Sequence, residues 1–266
     1  MPRVYMDHNA TTPIRPEVLE AFLPYYQERF ANPSSVHAEG QEARVAVEAA
    51  REKVAALLGA KPREIIFTGC GTESDNMALR GVLATEAKTG SHIVTTAIEH
   101  PAVIETCSYL ETRGVEVTYV PVGRSGVIDP DDVAESIRDN TVLVSVMHGN
   151  NESGSVQPIA EIAKLVKERE KTFHTDAVQT AGKLPIDVEE MNIDLLALSG
   201  HKLNAPKGIG ALYIREGLTM DALIHGGHQE RNRRSGTENV AGIVALGRAC
   251  ELAMSHMEGE SARLRR

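Results

Sequence analysis

Between residues 65 and 214 the chain repeats one unit. A short run of aliphatic and β-branched residues leads into a turn of small and polar residues, and then into an amphipathic stretch. The apolar runs occupy 65–67, 92–97, 115–120, 141–147, 172–175, 194–198 and 209–214. Helical spacing occupies 40–58, 73–88, 101–113, 130–138 and 158–169; in the first of these Val47, Ala50, Val54, Leu57 and Leu58 share a face and Gly59 stops the pattern. The runs are nearly continuous rather than alternating, the pattern of strands buried on both faces. Strand–helix–strand repetition of this kind predicts an α/β fold with a largely parallel sheet. A last long helix is expected from Thr237 to about Met257, N-capped within Ser235-Gly236-Thr237-Glu238, and the closing 261–266 reads as the middle of a helix.

Composition narrows the class. With 266 residues, 42% hydrophobic and 24% charged, the chain reads as a globular protein of one large domain or two modest ones. A net charge of −9, with six Tyr, four Phe and no Trp, argues against nucleic-acid binding. No apolar run approaches the roughly 18 residues of a membrane span, and the N-terminus lacks the apolar segment of a secretory signal. Cys70, Cys107 and Cys250 are odd in number and scattered, which fits reduced thiols in the cytoplasm rather than a disulfide framework or zinc site.

In open α/β sheets ligands bind outside the carboxyl ends of the strands, so the residues following each run matter most. Run 65–67 is followed by Thr68-Gly69-Cys70-Gly71-Thr72-Glu73-Ser74, a glycine-rich turn opening a helix. The next ends deliver Glu99-His100, then His148-Gly149-Asn150-Asn151-Glu152, then Asp176 and Gln179, then Ser199-Gly200-His201-Lys202. Each alone has a plain structural use. Glycine turns commonly open helices, His100 can cap or pack, Asp176 can cap, and Lys202 can be a surface lysine. Arg231, Arg233 and Arg234 ahead of Ser235 fit a solvated turn or an anion contact. Five such ends on one sheet edge are harder to explain as solvated loops.

A lysine, an aspartate, a phosphate-type cradle and a histidine suit pyridoxal 5'-phosphate (PLP). There a lysine forms the Schiff base, an aspartate keeps the pyridine nitrogen protonated, and a helix N-terminus takes the phosphate. A dinucleotide fits less well, because Ser74 stands at the third glycine position and Lys202 and Asp176 are left without a role. His225-Gly226-Gly227-His228 lacks the partner spacing of a metal site, and no metal is expected.

The order of these motifs resembles cysteine desulfurases of the NifS/IscS group, PLP enzymes of the class V aminotransferase family. The matching stretches are 5–13, 32–37, 72–76, Glu99-His100, 150–152, 174–179, 199–202 and 234–239. The resemblance implies an α/β fold, namely the aspartate-aminotransferase-like large domain of a PLP-dependent transferase with a mostly parallel central sheet. It divides the chain into residues 1–12 as an N-terminal piece of the small domain, 13–256 as the PLP-binding large domain, and 257–266 as the start of a small domain otherwise largely missing. By the same resemblance, Lys202 bonds the cofactor and shuttles protons, and His100 stacks on the ring and carries protons. Asp176 pairs with the ring nitrogen, Gln179 with the phenolic oxygen, and Asn151 sits beside cofactor and substrate. Gly71, Thr72, Ser199 and His201 hold the phosphate, and Thr237 reaches the phosphate of a neighbouring subunit in a homodimer. The family reaction converts L-cysteine to L-alanine and passes the sulfur to an enzyme cysteine, for a scaffold protein of iron–sulfur or tRNA-thiolation pathways. That nucleophile and a carboxylate-binding arginine are expected in a C-terminal portion beyond residue 266. Other class V activities (selenocysteine lyase, transaminase-like) and a non-catalytic PLP-binding remnant remain open alternatives.

Overall fold

The computed structural model describes residues 3–86 and 90–264. Seven strands form one sheet among them: β1 (Ile65–Thr68), β2 (His92–Thr96), β3 (Glu116–Val120), β4 (Thr141–Ser145), β5 (Thr172–Asp176), β6 (Leu195–Ser199) and β7 (Gly210–Ile214). Their order across the sheet is β1-β7-β6-β5-β4-β2-β3. Pairing is parallel from β6 through β3, and only β7 runs against its neighbours, β6 and β1. All seven apolar runs of the sequence are strands, and the expected mostly parallel sheet is present.

Both faces of the sheet are covered, as the continuous apolar runs require. Neighbouring residues point to opposite faces, so each run feeds two cores: Phe67, Val144, Leu196 and Leu198 enter one, and Ile66, Leu143 and Leu195 the other. Helices α3 (Ala38–Leu58), α7 (Ile159–Glu168) and α8 (Val240–Leu264) close the first core through Val47, Val54, Ile162, Val166 and Leu246. Helices α4 (Gly71–Glu86) and α5 (Pro101–Glu111) close the second through Met77, Leu79, Val82 and Val103. The short α6 (Pro130–Glu135) begins at its cap Asp129, whose carboxylate accepts from the Asp131 amide.

Two helices and both ends of a third depart most from the sequence reading. Two short helices, α1 (Pro16–Phe22) and α2 (Pro24–Gln27), precede α3 and have no counterpart in the expected pattern. Helix α8 starts at Val240, capped by the Asn239 side chain on the Gly242 amide, because the Ser235 hydroxyl is spent on Gly227 O at 2.7 Å. It then runs without a break to Leu264, past the anticipated end near Met257, so the expected domain boundary at 256/257 falls inside one helix. Parts of three expectations lie outside the described residues: positions 87–88 of the helix at 73–88, residues 1–2 of the N-terminal piece, and 265–266 of the C-terminal one. No helix among the described residues is long and apolar enough to cross a membrane.

Candidate active site

A cavity of about 230 Å³ opens at the carboxyl ends of β2, β4, β5 and β6. One wall is the start of α4. Gly71 lies so close to the strand ends that a Cβ there would sit 2.7 Å from Val178 Cγ2, so only glycine lets the helix begin at this spot. The first amides of a helix have no intrahelical acceptor and carry the positive end of its dipole, which makes Gly71 and Thr72 a ready anion cradle. The turn is braced from behind. Thr68 Oγ1 lies 2.8 Å from Ser74 Oγ, and Glu73 accepts from the Gly69 amide while its other oxygen takes Arg234 Nε at 2.7 Å. Opposite the cradle, Ser199 ends β6 with its hydroxyl buried and without a hydrogen-bond partner. An orphaned buried hydroxyl facing a helix N-terminus is the donor set a phosphate needs.

Asp176 ends β5 at 4% exposure and accepts from the Val178 amide at 2.8 Å. Burial raises its carboxyl above the usual range, while the amide bond and the charges of His100 and Lys202 pull it back down. His100 caps α5, its Nδ1 accepting from the Ala102 amide, so the proton of the neutral ring sits on Nε2. Capping and lining the cavity are thus compatible uses of one side chain. Lys202 closes the short helical turn Gly200–Lys202 after β6 and donates to the Asn9 carbonyl. Desolvation lowers its ammonium below the ordinary lysine value, opposed by Asp176 and Asp7.

The N-terminal segment forms the remaining wall. The Asn9 carbonyl also accepts from Gln179 Nε2 at 2.9 Å, and Asn9 Nδ2 donates to Asn151 O. The Thr12 amide and hydroxyl both donate to His201 O, and His201 Nδ1 lies 3.1 Å from Thr11 Oγ1. Residues separated by about 190 positions thereby share one hydrogen-bonded rim.

The cavity brings together Gly71, Thr72, His100, Asn151, Asp176, Gln179, Ser199, His201 and Lys202. Thr237 is not among its lining residues. It borders a separate cavity of about 120 Å³ with Gly69, Gly208, Arg234 and Gly236. Cys70 lines the main cavity, whereas Cys107 and Cys250 are fully buried, which pushes both thiols up to about 12. Asp75 and Met147 also line the cavity. Two further buried groups lie near, Glu99 and His174, and no motif argument had given Asp75, Glu99 or His174 a role. They stand inside the stretches 72–76, Glu99-His100 and 174–179 that carry the family resemblance, with no role attached. No cluster of His, Cys, Asp and Glu among the described residues has the arrangement of a metal site.

Comparison with known proteins supplies the context. Residues 4–265 match the family model described as Aminotransferase class-V. The chain is 54% identical over 261 residues to a cysteine desulfurase IscS of Dictyoglomus turgidum, covering 98% of this chain and 66% of that protein. It is 55% identical over 255 residues to a cysteine desulfurase IscS of Methanosarcina thermophila, covering 96% and 63%. It therefore spans just under two thirds of the length of these relatives. Among solved structures, a NifS-like protein superposes with a TM-score of 0.95 at 46% identity, covering 97% of this chain and 71% of that one. SspA in complex with cysteine superposes with a TM-score of 0.91 at 46% identity, covering 93% and 72%.

Proposed function

Since the chain belongs to the class V aminotransferase family, we propose that it binds PLP and acts in cysteine desulfuration: L-cysteine to L-alanine, with the sulfur passed to an enzyme cysteine. The observation that carries this reading is the convergence of Lys202, Asp176 and the α4 N-terminus on one cavity, with the Ser199 hydroxyl buried and unpartnered beside them. The donor set fits the cofactor. Gly71, Thr72, Ser199 and His201 would hold its phosphate, Asp176 its ring nitrogen, and Gln179, through Nε2, its phenolic oxygen. When bound, the cofactor supplies an electron-withdrawing ring that stabilises negative charge at the substrate Cα.

The chain's own residues do the rest. Lys202, its ammonium lowered by desolvation, reaches the neutral amine more readily than a surface lysine and can take and return a proton at Nζ. His100 presents Nε2–H as a second proton carrier, its ring fixed by the Ala102 amide on Nδ1. The carboxylate of Asp176, oriented by the Val178 amide, offers a fixed negative charge. Residues 9–12 tie down the rim of the site through hydrogen bonds to Asn151 and His201.

The reading extends to a homodimer, supported by the position of Thr237 outside the cavity, where it could serve a neighbouring copy. A sulfur-accepting scaffold protein and a cytoplasmic location complete it, the latter in keeping with the three unpaired cysteines. One titration tests it. Protein mixed with PLP and dialysed is expected to stay yellow, and L-cysteine to change its absorbance. Sulfide release should stay low, because Cys107 and Cys250 are buried thiols and Cys70 sits at the phosphate end. A colourless protein, or a spectrum indifferent to L-cysteine, would overturn the reading.

A further inference from the structure

Three buried carboxyls perturb one another at the cavity wall, Asp75 at 1% exposure and Asp176 at 4% lining it and Glu99 at 7% beside them. Like charges in such a space cannot all ionise, so protons must be apportioned, and the partners of each group decide where they go. Asp176 has an amide donor and the Lys202 ammonium to favour its charged form. Glu99 has donors on one oxygen only, from the Met147 amide at 2.8 Å and Thr96 Oγ1 at 2.7 Å.

Asp75 is placed differently. Its Oδ1 has no hydrogen-bond partner, and 3.6 Å away is Nε2 of His174, also fully buried and also without one. The other ring nitrogen of His174 lies 2.8 Å from Ser145 Oγ. Asp75 comes from α4, His174 from β5 and Ser145 from β4, so three packed elements fix the row Ser145–His174–Asp75. The groups bearing on Asp75 are Asp176 on β5, Glu99 after β2, Cys70 before α4, and His174 itself; among them only His174 could carry a positive charge.

We propose that Asp75 is a positioning residue held as a neutral carboxylic acid, its proton directed at Nε2 of a neutral His174, so that Asp176 remains the anionic carboxylate facing the cavity. At 3.6 Å the proton points toward Nε2 from just beyond hydrogen-bond distance, and His174 donates from Nδ1 to Ser145. Burial acts on both groups in the required sense: it holds the Asp75 carboxyl well above its usual range and pushes His174 down to about 3. Were Asp75 ionised, its charge would drive the proton onto Asp176 and remove the charge that holds a pyridine nitrogen protonated.

The proposal rests on the PLP reading for its consequence, not for the proton itself. The test is infrared spectroscopy of the PLP-loaded protein at neutral pH with aspartate carboxyls labelled with carbon-13, which separates aspartic acid from Glu99. A label-sensitive carboxylic-acid band is expected, and Asp75→Asn should abolish it. That variant replaces neutral with neutral, so the pH midpoint of cofactor absorbance should stay within about 0.3 units, whereas loss of a buried charge would move it by about one unit or more. Absence of the band in the wild-type protein, or a midpoint shift of that size, overturns the proposal. If Asp75→Asn does not fold, labelled Asp176→Asn decides: the band should persist there, and its loss would overturn the proposal. A colourless protein would fail the cofactor reading alone, and the loss of the band in Asp75→Asn would still report the proton on Asp75.

Discussion

Burial moves Glu99 and Lys202 in opposite directions, and both moves disfavour charge. Glu99 is pushed up to about 8, while its ordinary value lies near 4.5. The folded state therefore holds a proton that the unfolded state has lost between those pH values, and its contribution to stability falls as pH rises through the window. His174, pushed down to about 3, works in the opposite sense: its contribution is lost as pH falls from about 6.5. The net slope of the wild-type protein mixes the two, so a difference measurement isolates Glu99. Glu99→Gln keeps the acceptor for Met147 and Thr96 and cannot ionise. Its stability relative to wild type should rise between pH 5 and 8 by up to about 1.4 kcal/mol per unit. Urea titrations at three pH values check this, and parallel curves for the two proteins would contradict it. These values depend on burial, which explains why the sequence disclosed so little here. Asp75, Glu99 and His174 stand inside quoted motifs, yet nothing in local spacing says that three elements enclose them.

At the scale of elements, the strands were legible because each apolar run is short, β-branched and closed by a polar turn. Helix α4 was legible from Gly71 and α3 from its apolar face. The missed α1 and α2 are seven and four residues long, and each begins at a proline that reads equally as a turn. The start of α8 misled for a clear reason. Ser235-Gly236-Thr237-Glu238 has the composition of a cap, but the Ser235 hydroxyl bonds Gly227 and Gly236 adopts φ +114°, so Asn239 takes the capping role. Sequence also hides how closely α8 approaches α3. A Cβ on Gly247 would lie 2.7 Å from Ala50 Cα, a backbone atom that cannot swing aside. Gly247→Val is therefore expected to lose about 1–3 kcal/mol by overpacking, read as a lower urea midpoint. An unchanged midpoint would mean that the two helices are free to separate.

At the scale of the whole molecule, the cavity exists only because distant parts of the chain meet. The rim joins residues 9–12 to 201–204, the cradle follows the edge-most strand β1, and the lysine follows β6 in the interior of the sheet. Motif order made this gathering legible, since residues after successive parallel strands share one edge. What order could not show is which side chains face inward together. The structure brings nine of the singled-out residues to one cavity and sets Thr237 at another. The central claim is that this gathering is a cofactor site centred on Lys202. Borohydride reduction of the PLP-loaded protein, followed by peptide mapping, tests it most directly. The label is expected on the peptide containing Lys202 and should vanish in Lys202→Ala; label on another lysine, or unchanged labelling of Lys202→Ala, would contradict the account.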